Sequence, residues 1–268
     1  MNHHSLLAIS VLLLPVLGTG QQTQIANYDQ SREQFFWSRL YDEGGETLYC
    51  GIGFVNRTGL TLEHVYPASW MAAARGCRNR DSCPDPFFHH AEADLHNLWP
   101  AHASINSSRS NVVYGKIPGE TARRFTGFCP DFERTAAPDA LVEPQDSVKG
   151  EIARSIFYMV FSYGFPMQGM ESMLFDWHTA DPVDAEECRR NEEIFLLQGT
   201  RNPFIGDCGN VVTLLPPPPV VGNRFRCGTK NTCGQMESCA EALFHFQQCG
   251  VTRLDGDNDG VPCESICR

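Results

Sequence analysis

Six polar residues that could carry out acid–base and metal chemistry fall within one 44-residue stretch of the chain. They are Glu63, His64, Arg80, Glu92, His96 and Asn106. A histidine has an unperturbed pKa of about 6.5, so it is the natural general base at neutral pH. Carboxylate and amide oxygens suit a hard divalent ion such as Mg²⁺, and arginine presents a permanently charged planar fork to phosphate. A base, a hard metal ion and an arginine together are what phosphodiester hydrolysis requires.

Each of these residues also has a structural interpretation, which the sequence leaves open. His64 could be a hydrogen-bonded structural histidine, Glu63 a charge on a strand face, and Glu92 a carboxylate at the start of a helix. Zinc binding is a further alternative. The zinc ligands would be His89, His90 and His96. No H-E-x-x-H or comparable spacing fixes these histidines on one face of a helix, which disfavours zinc.

The elements that must position these residues are those of a mixed α+β domain. Two β-prone runs flank a turn with the sequence Asn-Arg-Thr-Gly, which predicts two strands. Further along, apolar residues recur at helical spacing and each run ends at a glycine. The predicted strands are Tyr49–Val55 and Gly59–Tyr66, and the predicted helices run from Ser147 to Gly164 and from Asp181 or Asp184 to Gly199.

Composition divides the 268-residue chain into four segments. The apolar run Leu6–Leu17 is too short to span a bilayer and is followed by small residues, which favours a secretory signal over a buried helix. Four consecutive prolines, Pro216–Pro219, forbid regular helix and favour an extended linker. The predicted segments are a signal peptide at 1–20, a main domain at 21–209, a linker at 210–223 and a tail domain at 224–268.

Cysteine content supports export. Six of the twelve cysteines precede the linker and six fall in the last 42 residues. Even numbers of cysteines in an exported chain indicate disulfides. The density of cysteines in the tail is typical of a small domain that needs disulfides because its apolar core is small.

Net charge is the main argument against a nucleic-acid partner, which usually contacts a basic surface. The chain carries a net charge of −11. Residues 57–134 nevertheless hold nine Lys and Arg against eight Asp and Glu, so the stretch with the candidate residues is near neutral. Net charge therefore affects the solubility of the protein and the rate at which charged ligands approach it, but it does not determine the chemistry of the site. After the first apolar run, no segment approaches 18 apolar residues, so we expect no stable membrane insertion.

Three motifs, in order, resemble the signatures of the secreted or periplasmic endonuclease I family. They are "LEHVYPASW", "AEADLHNLWPA" and "INSSRSN", and the similarity extends roughly from Tyr28 to Cys208. The resemblance implies a ββα-metal, or His-Me finger, core. It also implies non-specific cleavage of DNA and RNA.

Roles for individual residues follow from this resemblance alone. His64 would be the general base that activates water. Glu63 and Asn106 would bind one Mg²⁺ or Mn²⁺ ion, and Glu92 would support the site. Arg80 would stabilise the phosphate. Arg78 competes with Arg80 for that role, and His96 and Asn97 would be structural.

Two details of the motifs carry further expectations. Where the family has Gly-Asp before Arg109, this chain has Ser107 and Ser108, which removes one acidic group beside the metal. Glu63 and His64 are adjacent, and adjacent residues in a regular strand point to opposite faces. If both serve one site, strand alternation should fail at or near His64.

The tail contains a second motif, "LDGDNDGVPCE", in which aspartates alternate before a glycine. This is the pattern of the first half of an EF-hand calcium loop, although Ile266 stands where a helix-borne Glu is expected. The tail resembles the Excalibur calcium-binding module. That resemblance implies bound Ca²⁺, with ligands Asp255, Asp257, Asp259 and Glu264.

The prediction from sequence is a secreted, monomeric, metal-dependent endonuclease of DNA and RNA with a calcium-binding tail. The alternative is a catalytically silent extracellular protein that binds partners in a calcium-dependent way on a nuclease-like scaffold. Retention of all six candidate residues disfavours this alternative.

Overall fold

The structure, a computed structural model, describes residues 20–206, 208, 227–228, 230–236, 241–242, 245–246, 249–256 and 262–267. The expected linker, and the expected signal peptide apart from Gly20, lie outside these ranges. None of the helices within them combines the length and apolar character that crossing a bilayer requires.

Helices and strands both build the main domain, which confirms the α+β prediction. The helices are α1 (Tyr28–Gln30), continued by a π-helix (Ser31–Leu40), α2 (Ala68–Ala74), α3 (Pro86–Glu92), α4 (Ala103–Arg109), α5 (Lys149–Tyr163), α6 (Glu171–Ala180) and α7 (Ala185–Gln198). The strands are β1 (Gly45–Glu46), β2 (Gly53–Phe54), β3 (Leu60–His64), β4 (Leu98–His102), β5 (Val113–Tyr114), β6 (Arg123–Phe125), β7 (Cys129–Arg134) and β8 (Leu141–Glu143). Short 3₁₀ helices lie at Leu95–Asn97, Pro118–Glu120, Asp146–Val148 and Pro203–Ile205.

The strands form three small sheets. β1 pairs with β2 and β3 pairs with β4, both antiparallel, and the third sheet has the order β5–β8–β7–β6. In that sheet β5 and β8 are parallel, whereas β6, β7 and β8 are antiparallel. Because α4 follows β4 directly, β3, β4 and α4 form a ββα unit.

The strand predicted at Tyr49–Val55 is wrong except for Gly53–Phe54. The chain turns tightly before it, where the carbonyl of Thr47 accepts hydrogen bonds from the amides of Cys50 and Gly51. Gly51 has a φ of 56°, a left-handed conformation that interrupts an extended run. The partner of β3 is therefore the distant strand β4 rather than the segment on the other side of the Asn-Arg-Thr-Gly turn.

Both predicted helices are present. The first begins with the 3₁₀ turn Asp146–Val148, and α5 ends at Tyr163, followed by its C-cap Gly164, which adopts φ 70° and ψ 22°. The second is α7, whose N-cap Asp184 forms a capping box with Glu187 and whose C-terminal residue is followed by a left-handed Gly199. Asp184, rather than Asp181, therefore marks the start of α7.

Disulfides tie both parts of the chain, as the cysteine count predicts. Those involving described residues are Cys50–Cys129, Cys77–Cys83, Cys188–Cys208, Cys227–Cys249 and Cys233–Cys263. In the described part of the tail, two 3₁₀ turns and a final helix, α8 (Glu264–Cys267), accompany a small apolar cluster. Its buried members are Met236, Ala242, Leu254 and Cys263. Few apolar side chains are available there, so disulfides carry much of the constraint.

Candidate active site

The ββα unit positions Glu63 and His64 on different sides of strand β3. The register is regular through the pair of His64 and Leu98, and β3 ends at His64. Adjacent residues of a regular strand face opposite sides, so the predicted break in alternation does not fall between Glu63 and His64. Their side chains accordingly have different neighbours.

Glu63 is buried against three polar side chains. Only 2% of it is exposed, and its carboxylate accepts a hydrogen bond of 2.8 Å from the Tyr49 hydroxyl. Arg109 Nη1 lies 3.4 Å from Glu63 Oε1, and the Tyr49 and Tyr114 hydroxyls are 2.6 Å apart. Burial raises the pKa of Glu63 to about 7, although Arg109 and the Tyr49 hydrogen bond oppose that shift. A nearby cation would favour the ionised carboxylate.

Asn106 approaches the strand that carries Glu63. Its Nδ2 donates hydrogen bonds of 2.9 Å to Thr61 Oγ1 and to the Leu62 carbonyl. Thr61 is two residues before Glu63, so the side chains of Thr61 and Glu63 lie on the same face of β3. Both contacts use the amide nitrogen, which leaves Asn106 Oδ1 as the atom suited to a cation.

His64 is held as a neutral imidazole. Its Nε2 lies 2.9 Å from the carbonyl of Glu92. A carbonyl only accepts, so Nε2 carries the proton and Nδ1 retains its lone pair. Burial, reinforced by the charge of Arg80, lowers the pKa of His64 to about 3. His64 is therefore unprotonated at neutral pH, and a polyanionic ligand beside it would raise this pKa by offsetting Arg80.

Arg80 lies on the same side as His64. It occupies the loop closed by Cys77–Cys83, and its Nε donates to Glu92 Oε1. The Arg80 side chain is 40% exposed, whereas that of Glu92 is 7% exposed, so Glu92 anchors an arginine that still reaches solvent. Burial raises the pKa of Glu92, opposed by Arg80. Arg78, the competitor in sequence, is exposed in the same loop.

Three further residues beside the candidate site escape sequence reasoning. The guanidinium of Arg109, which is fully buried, donates to the carbonyls of Val65 and Ser110 at 2.7 and 3.0 Å. Tyr49 bonds Glu63, and the Tyr28 ring lies 5.1 Å from the His64 ring and 4.7 Å from the Arg80 guanidinium carbon. The one available signal concerns Arg109, which lies three positions after Asn106 on α4 and therefore near the same face of that helix.

His96 and Asn97 contact the framework around the site. Asn97 Oδ1 accepts from the amide of Tyr66 and Asn97 Nδ2 donates to its carbonyl, at 2.7 and 3.0 Å. This pairing holds the chain just after His64. His96 Nε2 lies 3.0 Å from the carbonyl of Thr200, and its ring packs 4.4 Å from that of Tyr158. In the described part of the chain, no three His, Cys, Asp or Glu side chains group as a metal site.

Burial of His96 predicts a specific loss of stability in acid. Burial lowers its pKa to about 3, against about 6.5 in the unfolded chain, so only the unfolded state takes up this proton between those values. The contribution of neutral His96 to the free energy of unfolding is fully present above pH 6.5. It is lost as pH decreases below that value, by about 1.4 kcal/mol per pH unit. Urea unfolding should show the wild type losing about 2 kcal/mol more than His96→Gln between pH 7 and pH 5. Equal losses would contradict a neutral buried His96.

The expected calcium ligands are only partly described. Asp255 is 7% exposed and follows the 3₁₀ turn Thr252–Leu254, and Glu264 is the first residue of α8. Asp257 and Asp259 lie outside the described residues.

Comparison with known proteins bears on both parts of the chain. Residues 20–208 match the profile of the Endonuclease I family, and residues 230–264 match that of the Excalibur calcium-binding domain.

Individual relatives carry nuclease names. Over 156 residues the chain is 36% identical to "Endonuclease-1" of Buchnera aphidicola subsp. Acyrthosiphon pisum (strain APS), covering 55% of this chain and 60% of that protein. It is 30% identical over 233 residues to "Periplasmic deoxyribonuclease" of Aeromonas hydrophila, covering 73% and 95%. It is 35% identical over 131 residues to "Extracellular ribonuclease" of Bacillus subtilis (strain 168), covering 42% and 43%. The chain thus spans less than two thirds of the first and third relatives. Since the Endonuclease I profile covers most of it, this chain belongs to the endonuclease I family and carries a C-terminal Excalibur calcium-binding domain.

Proposed function

We propose that this protein is an exported, metal-dependent endonuclease that hydrolyses phosphodiester bonds. The observation that carries the proposal is that a neutral buried histidine and a carboxylate–amide pair on one ββα unit lie beside an arginine that the Cys77–Cys83 loop presents through Glu92. These groups have the chemistry that a water attack on a phosphodiester requires, and the chain belongs to a nuclease family.

His64 is proposed as the general base. With Nε2 donating to the Glu92 carbonyl, Nδ1 can accept the proton of the attacking water. The low pKa of the free site ensures that Nδ1 is unprotonated when substrate arrives. The negative phosphate then raises the basicity of the imidazole by compensating the charge of Arg80.

Glu63 and Asn106 are proposed to hold one Mg²⁺ or Mn²⁺ ion. Their fit is supported by the donor set, a buried carboxylate whose pKa is raised to about 7 and an amide whose nitrogen is already committed to β3. Oxygen donors from few protein groups are typical of Mg²⁺ sites. When bound, the ion supplies Lewis-acid stabilisation of the leaving oxygen. Tyr49 and Arg109 orient the Glu63 carboxylate from its buried side.

Arg80 is proposed to bind the scissile phosphate, with Glu92 as its anchor. One nitrogen of the guanidinium is used by Glu92, and the side chain remains 40% exposed. The remaining N–H groups can therefore donate to phosphate oxygens. Glu92 contacts both the proposed base and the proposed phosphate-binding residue. Its side chain accepts a hydrogen bond from Arg80, and its backbone carbonyl accepts one from His64 Nε2.

The proposed substrates are DNA and RNA, cleaved without sequence preference by a monomer. Relatives named as deoxyribonuclease and ribonuclease support both substrates, and the terms periplasmic and extracellular in their names support export. In the tail, Asp255, Asp257, Asp259 and Glu264 are proposed to bind Ca²⁺. The match of residues 230–264 to the Excalibur calcium-binding domain supports this assignment.

The function is tested with purified protein and plasmid DNA, alongside single-stranded DNA and RNA, at a series of Mg²⁺, Mn²⁺ and Ca²⁺ concentrations. We expect cleavage of all three substrates with Mg²⁺ or Mn²⁺, loss of cleavage in EDTA, and recovery when Mg²⁺ is added in excess. Full activity in EDTA would overturn the metal requirement. No cleavage under any divalent ion would instead favour a silent calcium-dependent binding protein.

A further inference from the structure

A partly exposed aromatic surface lies at the turn between β6 and β7. Phe128 is 41% exposed at this turn, where its amide donates to the carbonyl of Phe125 at 3.0 Å. Its ring lies 4.9 Å from the ring of His102 and 5.7 Å from that of Phe125. Large apolar side chains at hairpin turns usually lie inward or are absent, since turns favour Gly, Pro, Asn, Asp and Ser. We refer to Phe128 and His102 as the aromatic platform.

The platform is fixed to the helix that bears Asn106. His102 is the N-cap of α4, and its ring accepts a hydrogen bond from the amide of Ser104. Four residues of α-helix rise about 6 Å, so His102 and Asn106 are about that far apart along α4. Phe128 packs against His102, so it lies near the N-terminus of the helix that bears Asn106, within reach of a few nucleotides of one strand.

Two connections also tie the platform to Glu63. The first is the Cys50–Cys129 disulfide, in which Cys129 is adjacent to Phe128 and Cys50 is adjacent to Tyr49. The Tyr49 hydroxyl in turn donates a hydrogen bond to Glu63. A chain of ring contacts runs in parallel. It joins Phe128 to Phe125, Phe125 to Phe132, and Phe132 to Tyr49, with centroid distances of 5.7, 6.0 and 5.5 Å. The platform therefore has a defined position relative to the proposed reaction centre.

Local charge suits a nucleic acid at this surface. Without Arg109, which is buried beside Glu63, the stretch 102–134 holds four Lys and Arg against three Asp and Glu, whereas the whole chain has a net charge of −11. Arg124 is exposed on β6, and its Nε donates to the carbonyl of Arg134 at 3.2 Å, which holds its stem along the hairpin. An exposed ring on a surface that is less acidic than the rest of the chain is a platform on which an unpaired base can stack.

We propose that Phe128, supported by His102, stacks on an unpaired nucleobase within a few nucleotides of the cleaved phosphodiester. This subsite rests on the proposed nuclease function and adds a substrate preference to it. A base reaches Phe128 only when it is out of the duplex stack, so the contact serves single strands and frayed or unpaired regions. It acts on binding, since it touches neither the attacking water nor the leaving oxygen.

The inference is tested by kinetics of Phe128→Ala, Phe128→Trp and the wild type on three substrates: a single strand, its duplex, and an all-abasic strand of equal length. Phe161→Ala is the matched control, because Phe161 is a similarly exposed phenylalanine, 47% exposed on α5, whose ring contacts Phe204. For Phe128→Ala we expect KM on the single strand to rise roughly 5–150-fold, as for loss of one base–aromatic stack. Its kcat should change little, and Phe128→Trp should retain the wild-type KM.

The abasic strand separates stacking from other causes, because it has the phosphates but no bases. Wild type and Phe128→Ala should have equal KM on it, and Phe161→Ala should match wild type throughout. A Phe128→Ala enzyme with unchanged KM on the single strand overturns the subsite while leaving the nuclease function standing. If the wild type cleaves nothing, the nuclease function fails. Anisotropy of a labelled single strand in EDTA then tests the platform alone, and equal affinity of wild type and Phe128→Ala overturns it.

Discussion

Replacing His64 with alanine is expected to lower kcat for plasmid cleavage by roughly 10²–10⁴-fold, the contribution usual for a positioned general base. The fold should persist, because the His64 side chain has one hydrogen bond, to the Glu92 carbonyl, and the ββα unit is also held by Asn97. Single-turnover cleavage at saturating substrate measures the chemical step directly. The affinity for substrate, measured by anisotropy in EDTA, should change far less than kcat.

Chemical rescue distinguishes a base from a structural histidine. His64→Gly leaves space beside Glu92, and added imidazole should restore part of the activity in a concentration-dependent way. Melting curves of His64→Ala and the wild type should overlap closely. Wild-type cleavage by His64→Ala would remove His64 as the base, whereas an equally large fall in melting temperature would indicate a structural role.

Replacing Arg154 with methionine is expected to reduce the free energy of unfolding by about 3–5 kcal/mol, because it leaves a buried carboxylate unpaired. Arg154 on α5 donates to both oxygens of Glu187 on α7, each at 2.6 Å, and the two side chains are only 1% and 2% exposed. A third bond, of 2.8 Å, reaches the carbonyl of Asp181. Thermal or urea unfolding with disulfides intact measures the loss, which is a large share of the total of about 5–15 kcal/mol.

Two controls separate the buried pair from a general effect of losing an arginine. Arg189→Met removes the partner of Glu186 on the same helix, but those side chains are 44% and 48% exposed, so the loss should be at most about 1 kcal/mol. The double variant Arg154→Met with Glu187→Leu removes both charges and should recover much of the stability. The double variant also loses the capping-box bond from the Asp184 amide to Glu187, worth about 1 kcal/mol, so the recovery should be partial. A double variant destabilised beyond that loss relative to Arg154→Met would contradict an unpaired Glu187 as the cause.

Elements with local signals were predictable from the sequence, and those that depend on distant partners were not. Helix α7 has a capping box at Asp184 and a left-handed glycine at its end, so both boundaries are encoded within a few residues. Strand β4 contains Pro100, which argues against a strand, and its partner β3 lies about 40 residues earlier. No local pattern reports such a pairing, and the segment after Tyr49 was mistaken for the partner strand.

The candidate site divides in the same way. Residue type and the resemblance of the motifs predict His64, Glu63 and Asn106 as site residues, and the structure brings Asn106 to the strand that carries Glu63 and His64. The buried supports Arg109 and Tyr49 derive their roles from tertiary contacts alone. The sequence does not distinguish a buried arginine from a solvated one, and buried Arg109 packs on Tyr114 and donates to the carbonyls of His64 and Val65.

The disulfide loop that carries Arg80 has a consequence for the cell that makes this protein. A newly synthesised chain has reduced thiols, so neither the Cys77–Cys83 loop nor the Cys50–Cys129 bridge beside Tyr49 is closed. The disulfides that fix the Arg80 loop and the segment of Tyr49, which donates to Glu63, therefore form only in an oxidising compartment. If the chain is exported as proposed, the nuclease site would be completed only after the protein has left the compartment that holds the cell's own DNA.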